Sequence, residues 1–298
     1  MDSDPIIKDI PKGLLPEHFS SLNLIETGLN NRNYLIDRAV VIKKYLPHQE
    51  TTDPASNRFF REKEALNILK DNPHAPKVLR WVVQGGEYFL VRKWVEGSIL
   101  TSYMIQENPN RIVEALAAIH SVDISSETAK IPHLVSLDYS HIIPDYFRAY
   151  KSIYEREKLS DHLPPPKEID KVLKYSMKAY STDHLQENQV LLHGDLVFSN
   201  VVVTNNHVTF IDWEYAALGS PLVDIAYLIT QNDMTQETKR NIIEDYQRKT
   251  GFSIEDHAIH AVAILLTVMS GIWYSLNVER GDKFVYQARA QFDSLGMD

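Results

Sequence analysis

The chain has 298 residues, more than a single hydrophobic core usually organises, and its 44% hydrophobic and 24% charged residues are the balance of an ordinary globular protein. A formal charge of −9 leaves no basic excess to displace counterions from nucleic acid, and it tolerates a cationic small molecule. With no cysteine at all, disulfides and thiolate metal sites are excluded.

In chain order, "MDSDPIIKDIPKGLL" carries acids and prolines where a secretory signal needs a basic start and an apolar run, so a cytoplasmic protein is expected. "LNLIETG", "NRNYLID" and "RAVVIKKYL" alternate as the strands of an antiparallel meander. "NRFFREKEALNILKD" follows with helical spacing at Phe59, Leu66 and Leu69 and stops before Asn72-Pro73. "VLRWVVQGGEYFLVRKWV" predicts two strands joined at Gly85-Gly86. Beyond Gly97 the pattern turns helical, in "NRIVEALAAIHSV", "PDYFRAYKSIYEREKL", "EIDKVLKYSMKAYST" and three further helices after residue 220. Only short apolar strands interrupt it, at "VLLHGD", "NVVVT" and "HVTFID".

The expected fold class is therefore α+β, in two lobes. Residues 1–95 make a small antiparallel sheet with one helix, and residues 96–298 a larger, mainly helical lobe. A ligand cleft between them is the natural expectation. Residues 261–278, "AVAILLTVMSGIWYSLNV", are uncharged and long enough to span a bilayer. They include Thr, Ser, Gly, Tyr and Asn and lack a flanking Lys/Arg cluster, so they read as a buried helix, with no membrane partner.

The chemistry concentrates in "LLHGDLVFSN" and "VTFIDWEYA", where a His, two Asp and an Asn sit within apolar runs. An unpaired carboxylate in such surroundings costs several kcal/mol, so these groups satisfy one another or meet a charged ligand. The order His193, Asp195, Asn200, Asp212 matches the phosphoryl-transfer template. There one Asp meets the acceptor hydroxyl, and an Asn with a second Asp offers the hard oxygens that Mg²⁺ needs. Taken singly, either segment is as readily a capped turn beside a core histidine; the joint pattern favours chemistry. Such a site also needs a cation on the third strand and an acid on the next helix. Lys43 or Lys44 and Glu62 or Glu64 are available, and strand alternation with helical spacing selects Lys43 and Glu62.

With "TGLNNRNYLI", "VVIKKY" and "REKEALNIL" added to those two segments, the chain resembles the aminoglycoside phosphotransferase and choline kinase group, which has a protein-kinase-like fold. The resemblance runs from about Thr27 to Phe292. It implies ATP and Mg²⁺ as cofactors and a transferase with an alcohol acceptor. Asp195 would be the catalytic base, with Asn200, Asp212 and, less directly, Glu214 as metal ligands. Lys43, steadied by Glu62, would bind phosphates under the Gly28–Asn33 loop, including Asn30 and Asn31. Backbone groups of Lys93 and Val95 would meet the base, and Asp224 would be structural.

"GLNNRNYLI", "IDWEYA" and the C-terminal "GIWYSLNVERGDKFVYQARAQFDSL" look closest to choline and ethanolamine kinases, which implies a small cationic amino alcohol. Trp213, Tyr215, Trp273 and Tyr286 are the candidate aromatic cage for it. One departure is Gly194, where choline kinases generally carry Asn; "HGD" is the form usual in aminoglycoside phosphotransferases. An aminoglycoside, thiamine or sugar acceptor is the alternative, and a turnover-free binding module the least favoured. Oligomeric state is not legible.

Overall fold

The computed structural model describes residues 5–25, 30–47, 55–124, 132–134, 139–157, 159, 163–182 and 189–296. A helical turn α1 (Pro5–Lys8) precedes β1 (Leu22–Ile25), β2 (Asn31–Ile36) and β3 (Val40–Tyr45). After α2 (Ala55–Ile68) come β4 (Val78–Gln84) and β5 (Glu87–Lys93), and the five strands form one antiparallel sheet in the order β1-β2-β3-β5-β4. Its tight turns follow from local chemistry. Asp37 and Arg38 join β2 to β3 at φ 49° and 52°, and Gly85 and Gly86 join β4 to β5 at 61° and 80°, the positive values a two-residue hairpin requires.

Alternation along β3 decides between its two lysines. Lys44 shares a face with Ile42, and this face is covered by the N-terminal segment. Ile10 and Leu14 pack there on Tyr34, Ile36, Ile42, Phe89 and Val91. Asp9 anchors that segment, 2.7 Å from Lys44 and 2.8 Å from Arg32, and it also accepts the Tyr34 hydroxyl. Lys43 shares the opposite face with Tyr45, towards α2, where Phe59 meets Tyr45 and Trp81 edge to face.

Past β5 the chain enters the helical part through β6 (Ser98–Ile99), α3 (Ser102–Glu107), α4 (Pro109–His120), α5 (Tyr139–Arg156) and α6 (Pro166–Thr182). The site segments follow as β7 (Val190–Leu192), β8 (Val201–Val203), β9 (Val208–Phe210) and β10 (Ala217–Gly219). β7 pairs with β10, and β8 lies between β6 and β9. The short β6, β10 and α3 were not expected, because elements of two to six residues carry no resolvable periodicity.

The end of the chain is α7 (Leu222–Thr230), α8 (Gln236–Thr250), α9 (Asp256–Ser275) and α10 (Asp282–Asp293), four helices where three were expected. The extra one arises because the chain breaks after α9 and Gly281 adopts φ 124°. α10 then folds back on α9, and a Cβ on Gly271 would lie 2.7 Å from the Phe292 ring. By length and composition α9 could cross a membrane, yet it packs against α5, α6, α7 and α10, and 61% of its apolar stretch is buried.

Candidate active site

Lys43 sits at the centre of a charged cluster drawn from both parts of the chain. Its ammonium is 2.6 Å from Glu62 on α2 and 3.2 Å from Glu214, and it is hydrogen-bonded to Asp212. Burial works against the lysine's charge, but Asp212, Glu214 and Glu62 outweigh it and push its pKa above the ordinary value. Glu62 is fixed further by the Tyr45 hydroxyl at 2.5 Å and the Trp213 backbone N–H at 3.3 Å. Glu214 is held by Asn31 at 2.6 Å and Arg58 at 3.4 Å. Glu62, Asp212 and Glu214 offer oxygens that all lie within 4.8 Å of one another.

The 193–200 loop supplies the second half of the site. Asp224 on α7 accepts the backbone N–H groups of His193 (2.7 Å) and Gly194 (2.9 Å), and His120 lies 3.1 Å away. Burial opposes the Asp224 charge; the hydrogen bond and charge of His120 outweigh it and hold the carboxyl below its usual range. His193 Nδ1 accepts the Asp195 N–H at 3.3 Å, so its Nε2–H donates to the Ile211 carbonyl at 2.9 Å. Burial lowers the pKa of this ring and keeps it neutral, a structural brace between the loop and the strand leading to Asp212. Asn232 completes the support, accepting the Phe198 N–H at 2.6 Å and donating to Leu196 O at 2.9 Å.

Asn200 Nδ2 donates to both the Asp195 carbonyl and its carboxylate, each at 2.9 Å, which orients the acid and leaves the amide oxygen as the Asn200 ligand atom. Burial, then the charges of Asp212 and Glu214, push the Asp195 carboxyl up to about 7; bonds from Tyr227 and Asn200 offset only part of this. Asp212 follows β9 at φ 68°, a left-handed conformation that Asp tolerates better than most residues and that recurs at functional turns. Its side chain is 31% exposed, whereas those of Glu62 and Glu214 are 2% and 3% exposed.

Lys43, Glu62, Asp195, Asn200, Asp212 and Glu214 thus meet as expected, with other expectations changed. Glu214 is engaged by Lys43, Arg58 and Asn31 and is almost wholly buried, whereas Asp212 is engaged by Lys43 and its side chain is 31% exposed. Asn30 and Asn31 turn onto Tyr215 (2.8 Å) and Glu214 instead of lying open above the cleft. Thr27, Gly28 and Leu29 lie outside the described residues. Lys93 ends β5, and Val95 lies two residues beyond it.

The aromatic expectations fare unevenly. Trp213 is fully buried, 4.6 Å from the His193 ring and with its Nε1–H on Phe210 O, so it has no surface to offer a substrate. Tyr286 is 71% exposed, on α10. Trp273 packs on Tyr274 and Phe284. The rings whose electrostatics couple to Asp195 are Tyr215 and Tyr274, both with pKa raised by burial and by that acid, and Tyr227, which donates to it. Sequence reasoning missed Tyr227 and Tyr274 as site residues. Tyr227 lies three residues after Asp224, one helical turn on, and Tyr274 adjoins Trp273, but nothing local aims either ring at Asp195.

Gly194 has a steric reason of its own. Its φ is 78°, and a Cβ there would lie 2.2 Å from the Tyr215 carbonyl oxygen. The departure at this position therefore reports a close backbone approach between the loop and the 212–216 segment, and it says little about the acceptor.

The arrangement is that of a kinase-type phosphotransferase, and the chain belongs to the phosphotransferase enzyme family, whose family model matches residues 21–261. Protein LicA of Haemophilus influenzae is 27% identical over 158 residues, covering 50% of this chain and 57% of that protein, little more than half its length. Among solved structures, choline kinase LicA from Streptococcus pneumoniae superposes with a TM-score of 0.68 at 18% identity, covering 93% of this chain and 95% of that one. The GDP complex of aminoglycoside 2'-phosphotransferase-IIIa gives the same TM-score at 16% identity, with coverage of 97% and 95%. At such identities these likenesses establish the fold, a kinase-like one.

Proposed function

We propose that the protein transfers the γ-phosphate of a purine nucleoside triphosphate to the hydroxyl of a small amino alcohol such as choline or ethanolamine, in the cytoplasm. Residues 1–95 would carry the nucleotide and residues 96–298 the base and the acceptor. The observation that carries the reading is the meeting of Lys43, from the sheet, with Asp212, beside the Asp195–Asn200 pair. Two cations, Lys43 and Arg58, face Glu62, Asp212 and Glu214, and Asp195 adds a further acid. A surplus of carboxylate with an amide oxygen nearby is a donor set that suits Mg²⁺. Asn200 and Asp212 would hold that ion, which neutralises phosphate charge when bound.

The protein's own groups do the rest. Lys43, fixed by Glu62, orients the phosphates. Asp195, aimed by Asn200, accepts the hydroxyl proton as the acceptor oxygen bonds to the γ-phosphorus and the nucleoside diphosphate leaves. A carboxyl titrating at about 7 is well matched to this work near neutral pH. Little covalent chemistry is required, so positioning and charge placement supply most of the acceleration. Tyr215, Tyr227 and Tyr274 beside Asp195 support a cationic acceptor, since aromatic faces with a carboxylate suit an ammonium group that lacks donors.

The test is a nucleotide-consumption screen over choline, ethanolamine, thiamine, sugars and aminoglycosides, with Asp195→Ala in parallel. Turnover with an amino alcohol, lost in the variant while nucleotide still binds, is expected. Turnover only with an aminoglycoside, thiamine or a sugar would move the acceptor, and an active variant would remove the mechanism.

A further inference from the structure

We infer that the base-binding end of the cleft selects a 6-oxopurine nucleotide, guanine or hypoxanthine, over an adenine nucleotide, with Arg92 as the specificity-determining residue. The inference rests on the reading above, in which Lys93 and Val95 border the base.

Arg92 lies opposite Val41 in the β3–β5 pairing, two residues beyond Leu90, which faces Lys43. Alternation therefore puts its side chain on the cleft face with Lys43 and Tyr45. It is only 8% exposed. The comparison with Arg58, the other buried arginine, is direct. Arg58 is 1% exposed and its guanidinium donates to Asn30 O, Asn31 Oδ1, Glu214 and Leu46 O. Arg92 makes one hydrogen bond, from NH1 to Lys93 O at 3.1 Å, and among the described residues no carboxylate comes within ion-pair distance of it. Burial lowers its pKa even though Glu62 and Asp212 pull the other way from further off. A guanidinium has five N–H donors, and most of those of Arg92 have no protein acceptor among the described residues and are left for a ligand or water. Trp94, the next residue but one, adds a buried indole Nε1–H without an acceptor.

Both groups short of partners at this end of the cleft are donors, which sets the chemistry of the base edge they fit. Adenine presents an amino group at C6. Facing the guanidinium, that amine would bring N–H against N–H. Guanine and hypoxanthine present O6 and N7, two adjacent acceptors that match the guanidinium fork in a two-point contact. Such a base uses the free donors of Arg92 and leaves its bond to Lys93 O in place.

The experiment measures dissociation constants of the full chain for GDP, IDP, 7-deaza-GDP and ADP by calorimetry, in wild type and in Arg92→Met. GDP and IDP are expected to bind about ten- to a hundredfold more tightly than ADP, the discrimination one two-point arginine contact supplies. 7-Deaza-GDP, which lacks one acceptor, should fall between GDP and ADP. Arg92→Met should bring the GDP/ADP ratio towards one, chiefly by weakening GDP. IDP binding separates O6 and N7 recognition from contacts to the guanine 2-amino group, and the wild-type IDP/ADP ratio decides the matter if the variant does not fold. ADP binding as tightly as GDP and IDP would overturn the assignment to Arg92 and leave the phosphotransferase reading intact. Binding of no diphosphate would overturn both.

Discussion

The two halves of the site hold their carboxylates by opposite means. Around Lys43, Glu62 from α2 and Glu214 from the segment after β9 are almost wholly buried and tied to that ammonium, with Arg58 also on Glu214. On the loop side Asp195 receives neutral donors, the Asn200 amide and Tyr227, and no cation lies within ion-pair distance among the described residues. A carboxylate neutralised by an ammonium has no use for a proton. One surrounded by neutral donors and other acids holds its proton up to about pH 7 and can exchange it. The first kind of site suits positioning; the second suits proton transfer.

The largest effect that bears on this contrast is expected at Asp195. Asp195→Asn should lower turnover by about 10²–10⁴-fold, the range for a general base, with nucleotide binding largely kept. The same change should stabilise the ligand-free protein. With a carboxyl at about 7 in the fold against 3.8 ordinarily, Asp195 stabilises the fold while protonated, below pH 4, and that contribution is lost as pH rises through 7. Discounted for its partial exposure, Asn at this position should gain about 1–2 kcal/mol in urea unfolding at pH 8 and nothing near pH 4. A variant less stable than wild type at pH 8 would mean that Asp195 is held like Glu62.

Lys43→Met comes next. It leaves Glu62, Asp212 and Glu214 facing one another, and the loss should be about 3–5 kcal/mol of stability, as for other broken buried ion clusters. Denaturant midpoints check it, and adding Glu214→Gln should recover part of the loss; no recovery would show that the acids do not repel. Gly194→Ala tests how tightly the loop side is packed. Its Cβ would lie 2.2 Å from Tyr215 O at a positive φ, and about 2–3 kcal/mol should be lost. Wild-type stability with unchanged turnover would contradict that close approach.

The smallest effect lies outside the cleft, at Asp9. Burial raises its pKa, but Lys44, Tyr34 and Arg32 outweigh it and hold the carboxyl at about 2. A depressed carboxyl stabilises the fold above its unfolded pKa, and this is lost as pH falls from about 4 to 2. Asp9→Asn should therefore cost about 1 kcal/mol at pH 7, after allowance for solvent screening, and nothing at pH 2. A difference that persists at pH 2 would assign the effect to packing of the Ile10–Leu14 segment instead.

Legibility in the sequence followed the range of each interaction. The β1–β3 meander and the β4–β5 hairpin were readable because their turns, Asp37-Arg38 and Gly85-Gly86, lie beside the strands they join, whereas the pairing of β5 with β3 is long-range. The pair Asp195 and Asn200, five residues apart, was readable as a unit for the same reason. Lys43 was separable from Lys44 by alternation alone. Arg58, Arg92, Tyr227 and Tyr274 were not readable as parts of the site. Each is an ordinary strand or helix residue until tertiary contacts aim it, as with Arg58 and Glu214, which are 156 residues apart. Trp213 shows the reverse error. Its neighbours in "FIDWEYA" made it look like substrate-facing surface, and packing against His193 made it core.

By itself, then, the sequence determined which residues could carry phosphoryl transfer and in which order they meet the chain, because short apolar strands and tight turns are local and set their spacing. Only the tertiary structure decided which acids are neutralised and which one stays free to take a proton. That depends on where the few buried cations lie, and Lys43 and Arg58 reach Glu62 and Glu214 only once sheet, helix and loop have closed around them.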